Sequence, residues 1–285
     1  MCSLFKNGKF TAGFQVTLNS FLMNHIFRST FLSLALGFVL TILCVRQLTI
    51  VALEDDAVGF IIANAGKGAG SELERCLQLT ESIAQFSEPR REFADSNGYV
   101  RGEPYLMQSP ILASLAYGGG ACGYASEIGV RAFEMAGFEP RFVQVLDSRG
   151  QTIHVVIDVL IDDSIAVIID PIFGHLFLDT EGRPATAKHL GLRWESLKEH
   201  LPDNKIRTYS YEHGIRHTNW EKNFVTLAIH SCLQAVGRNP DEICLRMYFN
   251  GLRRWSPAFG LAISTLLCLA FAFKLNKSNG QAEGE

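Results

Sequence analysis

The sequence predicts an α+β domain, one helix packed on at least three antiparallel strands, flanked by two transmembrane helices. Three observations lead there. Two runs without a charged residue, Ser29 to Val45 and Ser256 to Phe273, are each bounded by Arg or Lys. Between them, Cys122 to Ala136 carries a helical apolar period. Directly afterwards the pattern turns strand-like, with Val- and Ile-rich runs at Arg141 to Leu146, His154 to Ile161 and Ile165 to Asp170.

Composition agrees with the membrane reading. Of 285 residues, 47% are hydrophobic and 19% charged, and the mean hydropathy is +0.12. A soluble domain carries about 25% charged residues. The net charge of −3 offers no basic surface for nucleic acid, so no nucleic-acid partner is expected. The seven cysteines show no C-x-x-C pair, which argues against a disulfide framework and against structural zinc.

The two apolar runs are short for spanning helices, which need about 17–25 residues, but Arg28, Arg46, Arg253, Arg254 and Lys274 can snorkel at their edges. The alternatives are a signal peptide for the first and a core helix for the second. A signal peptide fits poorly, because the apolar run begins only at Ser29 and no clear cleavage site follows. Nor does Cys44 suit a lipoprotein, with Leu43 before it. Lys6, Lys9 and Arg28 precede the first run, whereas Glu54, Asp55 and Asp56 follow it. Positive-inside logic then puts both termini in the cytoplasm and the middle domain outside. Arg246, Arg253 and Arg254 on the domain side of the second run pull the other way. The expected organisation is an N-terminal segment (1–28), a transmembrane helix with its juxtamembrane segment (29–53), a linker (54–70), the domain (71–250), a second transmembrane helix (251–275) and a polar tail (276–285).

Within the domain, NAGKGAG (64–70) lacks the spacing of a phosphate loop and reads as linker. Ser71 and Glu74 form a capping box that opens a helix, which Pro89 is expected to end. Residues 88–104 read as loop, 106–117 as a short helix stopped by three glycines. The Cys122 helix is the best defined: Ala125, Ile128, Gly129, Ala132, Phe133 and Ala136 make one stripe. Gly137 is a natural residue just past its end, and Pro140 blocks continuation. Residues 180–220 are mixed and polar, and 221–250 read as two helical pieces divided at 237–240.

Cys122 at a helix N-terminus would have its thiol tuned towards thiolate, and the glycines before it leave the sulfur open to a substrate backbone. A nucleophilic thiol needs a base, and the base an orienting partner. His154 opens one strand and Asp170 closes the next. A hairpin turning at Asp162-Asp163-Ser164 puts Ile161 opposite residue 164 or 165, and so Asp170 opposite 155 or 156, beside or diagonal to His154. Cys122, His154 and Asp170 are therefore the candidate catalytic residues. Each has a plainer reading, as a buried thiol, a hydrogen-bonded sheet histidine and a turn-opening aspartate. It is their convergence that favours chemistry.

The order and close spacing of Cys122, His154 and Asp170 resemble the transglutaminase-like core of the papain-like superfamily. Further matches are GGGACGYAS around Cys122, GFEPRFV (Gly137 to Val143), HVVID (His154 to Asp158) and the pair Asp170-Pro171. The resemblance covers about residues 70–220 and is specific over 117–174. The chain departs from the family at Val156 and Asp158, where an aromatic residue and Glu are common. Papain and the cathepsins fit poorly because their His lies much further on. Arylamine acetyltransferases carry an acid where this chain has Tyr124. The resemblance implies acyl transfer or hydrolysis at an amide, a Gln side chain or a peptide bond, through a thioester on Cys122. It also implies a protein or peptide substrate and no metal or organic cofactor. The Cys122 amide would join the oxyanion hole, with Gln108 and Tyr117 as candidate second donors.

Weaker candidates are His175 as a competing base and Arg216 to Trp220, which either line the cleft or cap the next helix. Two readings from other classes stand beside the enzyme. One is a catalytically silent scaffold of the same fold; the other is a subunit of a membrane-associated envelope or polysaccharide assembly.

Overall fold

The structure is a computed structural model and describes residues 9–65, 70–97, 109, 111–112, 115, 122–161, 165–201 and 206–282. In chain order the helices are α1 (Lys9–Asn64), α2 (Glu72–Asn97), α3 (Cys122–Met135), α4 (Ala187–Lys198), α5 (Phe224–Ala235) and α6 (Leu245–Ala282). The strands are β1 (Glu139–Leu146), β2 (Thr152–Ile161), β3 (Ile165–Asp170), β4 (His175–Leu176) and β5 (Ile215–Arg216). The chain forms two compact units, one of Ile50–Gly251 and one of Met1–Thr49 with Leu252–Glu285.

In the second of these, α1 and α6 pack through small residues. Thr41 Oγ1 and Ser264 Oγ lie 2.7 Å apart, and both reach the Gly37 carbonyl, at 2.9 and 2.7 Å. A side chain at Gly260 would fall on the Cys44 sulfur. Gly37, Thr41 and Cys44 recur at helical spacing on α1, as do Gly260, Ser264 and Cys268 on α6. Such small-residue seams let apolar helices approach closely. Both helices are long and apolar enough to cross a membrane, over Leu34–Asn64 (31 residues) and Leu245–Phe273 (29 residues).

Two expectations about the helices need correction. Residues 54–64, read as linker, continue α1 as helix. Pro89 does not end α2, which runs on to Asn97. A proline removes one hydrogen bond and crowds the preceding turn, so helices usually end before one, but the cost can be outweighed and the helix continue past it. Here the residues after it, Arg90, Arg91, Glu92 and Ala94, include good helix formers. The capping box at the start of α2 is formed: Ser71 N–H donates to Glu74 Oε2 at 3.0 Å and Glu74 N–H to Ser71 Oγ at 3.2 Å.

The unit of Ile50–Gly251 is built on a five-stranded antiparallel sheet in the order β4-β3-β2-β1-β5. Alternation along the strands buries both faces. Phe142, Ile157, Val159, Ile161, Val167 and Ile169 meet Leu79 and Ile83 of α2, Ile128 and Phe133 of α3, and Val58 and Ile61 of α1. On the other face, Val143, Val145, Val156 and Ile168 meet Phe177, Leu190, Trp194 and Tyr211.

Two glycines fix how closely these layers approach. Gly129 brings α3 onto the sheet, since a Cβ there would sit 3.2 Å from Ile157 Cδ1 and 3.2 Å from Pro171 Cγ. Gly174 closes the β3–β4 turn at φ +62°, and a Cβ there would come within 2.5 Å of Ala84 Cβ on α2. Gly174→Ala should therefore destabilise the fold by about 2–4 kcal/mol, combining left-handed strain with overpacking. Thermal unfolding in detergent checks this. Adding Ala84→Gly should restore the overpacking part alone, and an unchanged melting point in Gly174→Ala would contradict the packing described.

Candidate active site

The β2–β3 register pairs Ile161 with Ile165 and Ile157 with Ile169, which continues to Asp170 opposite Val156. That is one of the two registers the turn allowed. His154 lies two residues along β2 on the same face, and its Nε2 sits 2.6 Å from Asp170 Oδ2. Both side chains are buried. The other carboxylate oxygen, Asp170 Oδ1, accepts the Ile172 N–H at 3.2 Å, so the acid is held from two sides. Tyr209 stacks flat on the imidazole, with centroids 4.0 Å apart and planes 10° apart, and Phe173 flanks it at 6.0 Å.

β3 stops at Asp170 because Pro171 has no N–H and begins the turn. In a continued ladder Val155 would face residue 171. Instead α3 takes up that open edge: Ser126 Oγ donates to the Val155 carbonyl at 3.0 Å, and the Val155 N–H is directed at Cys122. Cys122, Ser126, Gly129 and Phe133 lie along one side of α3, which begins at Cys122 as the sequence predicts. Gly137, at φ +88°, follows its end.

The electrostatics follow from this placement. Burial pushes the Cys122 thiol up, but hydrogen bonding with His154, its charge, and the Val155 N–H outweigh burial and leave the thiol below its ordinary 9.0. Burial likewise disfavours a charged His154. Asp170 and Cys122, by hydrogen bond and by charge, prevail and raise it from 6.5 to about 9. Its Nδ1 is buried and has no hydrogen-bond partner among the described residues. Cys76 and Cys244 contrast with Cys122, for burial drives Cys76 up to about 12 and also raises Cys244.

The remaining candidates separate clearly. His175 stands opposite Asp170 in the β3–β4 ladder, packs edge-on against Phe177 at 4.8 Å, and is lowered by burial against the charge of Asp170. Arg216 reaches Gln144 and Thr152. His217 bridges Asp158 Oδ2 at 3.0 Å and the Asp241 carbonyl at 2.9 Å, while Thr218 bonds the Ile243 carbonyl. This segment ties β5 to the start of α6, and the cap of α5 is Asn223 instead. Asp158 is engaged by Arg141 at 2.7 and 3.0 Å. Gln108 and Tyr117 lie outside the described residues, as do Gly118–Gly120 and the turn at 162–164; so does most of the short helix expected at 106–117. Among the described residues no three His, Cys, Asp or Glu side chains gather to hold a metal ion.

Sequence reasoning missed Tyr209, Phe173 and the Val155 backbone. Tyr209 has no periodic signal around it, whereas Pro171 could have announced the open edge. Compared with known proteins, the chain matches no family model, no curated protein and no solved structure.

Iodoacetamide should alkylate Cys122 at pH 6–7, with Cys76 and Cys244 unreactive in the folded protein. In His154→Ala the onset of labelling should move up towards pH 9. Mass-spectrometric rates across pH test this, and a wild-type onset near 9 would mean that His154 does not act on the thiol.

Proposed function

We propose that the chain is a membrane-anchored thiol enzyme with a transglutaminase-like, papain-like core, acting by acyl transfer or hydrolysis at an amide. One observation carries the reading: a buried His154–Asp170 pair at 2.6 Å whose remaining ring nitrogen is left to a helix-start thiol with lowered proton affinity. The order of elements, cysteine helix followed by histidine strand and aspartate strand, supports it as well.

In this reading the Cys122 thiolate attacks the carbonyl carbon of a Gln side chain or peptide bond. The oxyanion forms beside the Cys122 amide, which a helix start leaves without an intrahelical partner. As the C–N bond breaks, the imidazolium of His154 passes its Nδ1 proton to the leaving amine, and a thioester remains. An incoming amine or water then gives a proton to His154 and releases the acyl group. Throughout, Asp170 holds the Nε2–H and stabilises the charged ring. The proton donor is lost once His154 titrates, so turnover should fall as pH rises through about 9.

The anchors are α1 and α6 as membrane spans. The acid-free basic residues before the first run and Glu54, Asp55 and Asp56 after it favour an extracytoplasmic domain. The protein should stay with membranes after carbonate washing, also when residues 1–53 are deleted. Release of that truncation would mean that α6 does not span.

Asp170→Asn separates catalysis from structure. Losing a buried, charge-assisted hydrogen bond should cost about 1.5–3 kcal/mol. Acylation of Cys122 by p-nitrophenyl acetate should fall by about 100- to 10,000-fold. A lowered melting point with unchanged acylation per folded molecule would remove Asp170 from the site.

A further inference from the structure

Helix α5 turns apolar residues outward as well as inward. Its sequence, FVTLAIHSCLQA, holds no Asp, Glu, Lys or Arg, and none of its residues is buried. The half-buried side turned to the protein holds Thr226, Ile229, His230 and Leu233: Thr226 Oγ1 donates to the Trp220 carbonyl at 2.8 Å, and His230 packs on the Trp220 ring at 5.4 Å. The opposite side presents Phe224, Val225, Leu227, Ala228 and Cys232 outward, with Ser231 among them returning its hydroxyl to the Leu227 carbonyl at 3.1 Å. Phe224, at 83%, is the most exposed large hydrophobic side chain among the described residues.

A surface helix normally turns a charged or polar face to solvent, because exposed apolar area is unfavourable in water. A contiguous apolar face of this kind marks contact with a partner or a membrane. The chain itself supplies the choice. Soon after α5 ends at Ala235, α6 begins at Leu245, and it is apolar enough to cross a bilayer. The first turns of α6 expose Tyr248 and Phe249, aromatic residues of the kind that collect at membrane–water interfaces. Lys222 and Arg238, both exposed, stand just beyond the two ends of α5, where they can meet anionic headgroups.

We propose that α5 lies in the membrane–water interface, with the face of Phe224, Val225, Leu227, Ala228 and Cys232 set into lipid. This rests on the reading of α1 and α6 as spans, and it gives the unit of Ile50–Gly251 a second, monotopic attachment to the bilayer.

The exposed Cys232 is itself a probe. Full-length protein with Cys2, Cys122 and Cys268 replaced by Ser is spin-labelled at Cys232 and reconstituted into phosphatidylcholine–phosphatidylglycerol vesicles. A second sample keeps Cys268, exposed on α6, and replaces Cys2, Cys122 and Cys232. A third carries Glu181→Cys, in an exposed turn, in place of the other accessible cysteines. Access to molecular oxygen, which favours lipid, is compared with access to a water-soluble nickel chelate. The proposal predicts a high oxygen-to-nickel ratio at Cys232 and Cys268, several-fold above that at position 181. A lipid-exposed Cys268 with a water-exposed Cys232 overturns the proposal and leaves the spans intact. Shielding of Cys232 from both reagents, with spin–spin broadening, assigns the face to a second copy of the chain and likewise overturns it. A water-exposed Cys268 removes the spans, and the proposal with them.

Discussion

Pro171 cannot donate a hydrogen bond, and the β2–β3 ladder ends beside it. That single interruption leaves both backbone groups of Val155 without a strand partner, in a sheet where every such group must find one. α3 supplies the partners through Ser126 and Cys122, and Gly129 lets the helix come close enough to do so. The same residue before the proline, Asp170, is thereby the last one on its strand and turns its carboxylate to His154. The end of one ladder therefore brings together a helix from one face of the sheet and a histidine from the other.

The position of α3 is fixed by charge as well as by packing. Glu127 receives Arg246 at 2.7 and 3.0 Å and Asn250 at 2.8 Å, both from the first turns of α6. Arg131 pairs with Asp55 of α1 at 2.8 Å, and Glu54 of α1 accepts the Ser109 hydroxyl. Partly buried ion pairs add little net stability, since desolvation consumes the Coulomb gain. Their value lies in orientation. The helix that starts with Cys122 is tied to both helices whose further lengths are apolar enough to span a membrane, so its first turn has little freedom to drift from His154.

Local signals made much of this legible. The start of α3 at Cys122, its end before Gly137 and, to within one residue of register, the hairpin that brings Asp170 to His154 follow from short-range rules of caps, φ angles and strand alternation. What escaped them depends on distance in sequence or on an inverted pattern. Tyr209 reaches His154 from far along the chain, out of a segment with no period. The small-residue seam of α1 and α6 is invisible until two helices face each other, because glycine and serine carry no apolar signal. α2 passes Pro89 since a proline is a cost to be outweighed rather than a stop. The apolar outer face of α5 reads in sequence as part of an ordinary helix, and only its burial pattern shows that Phe224, Val225, Leu227 and Ala228 are turned outward.

The proposed chemistry depends on a thiolate–imidazolium pair between Cys122 and His154. Thiolate absorbance near 240 nm, taken as the difference between the wild-type chain and Cys122→Ser, reads that pair directly. The pair predicts a thiolate signal already present at neutral pH and lost on acidification, while the imidazole nitrogen signature of a doubly protonated His154 persists in acid and disappears only as pH rises through about 9. A difference signal that appears only as pH approaches 9, with His154 neutral below it, would contradict the account.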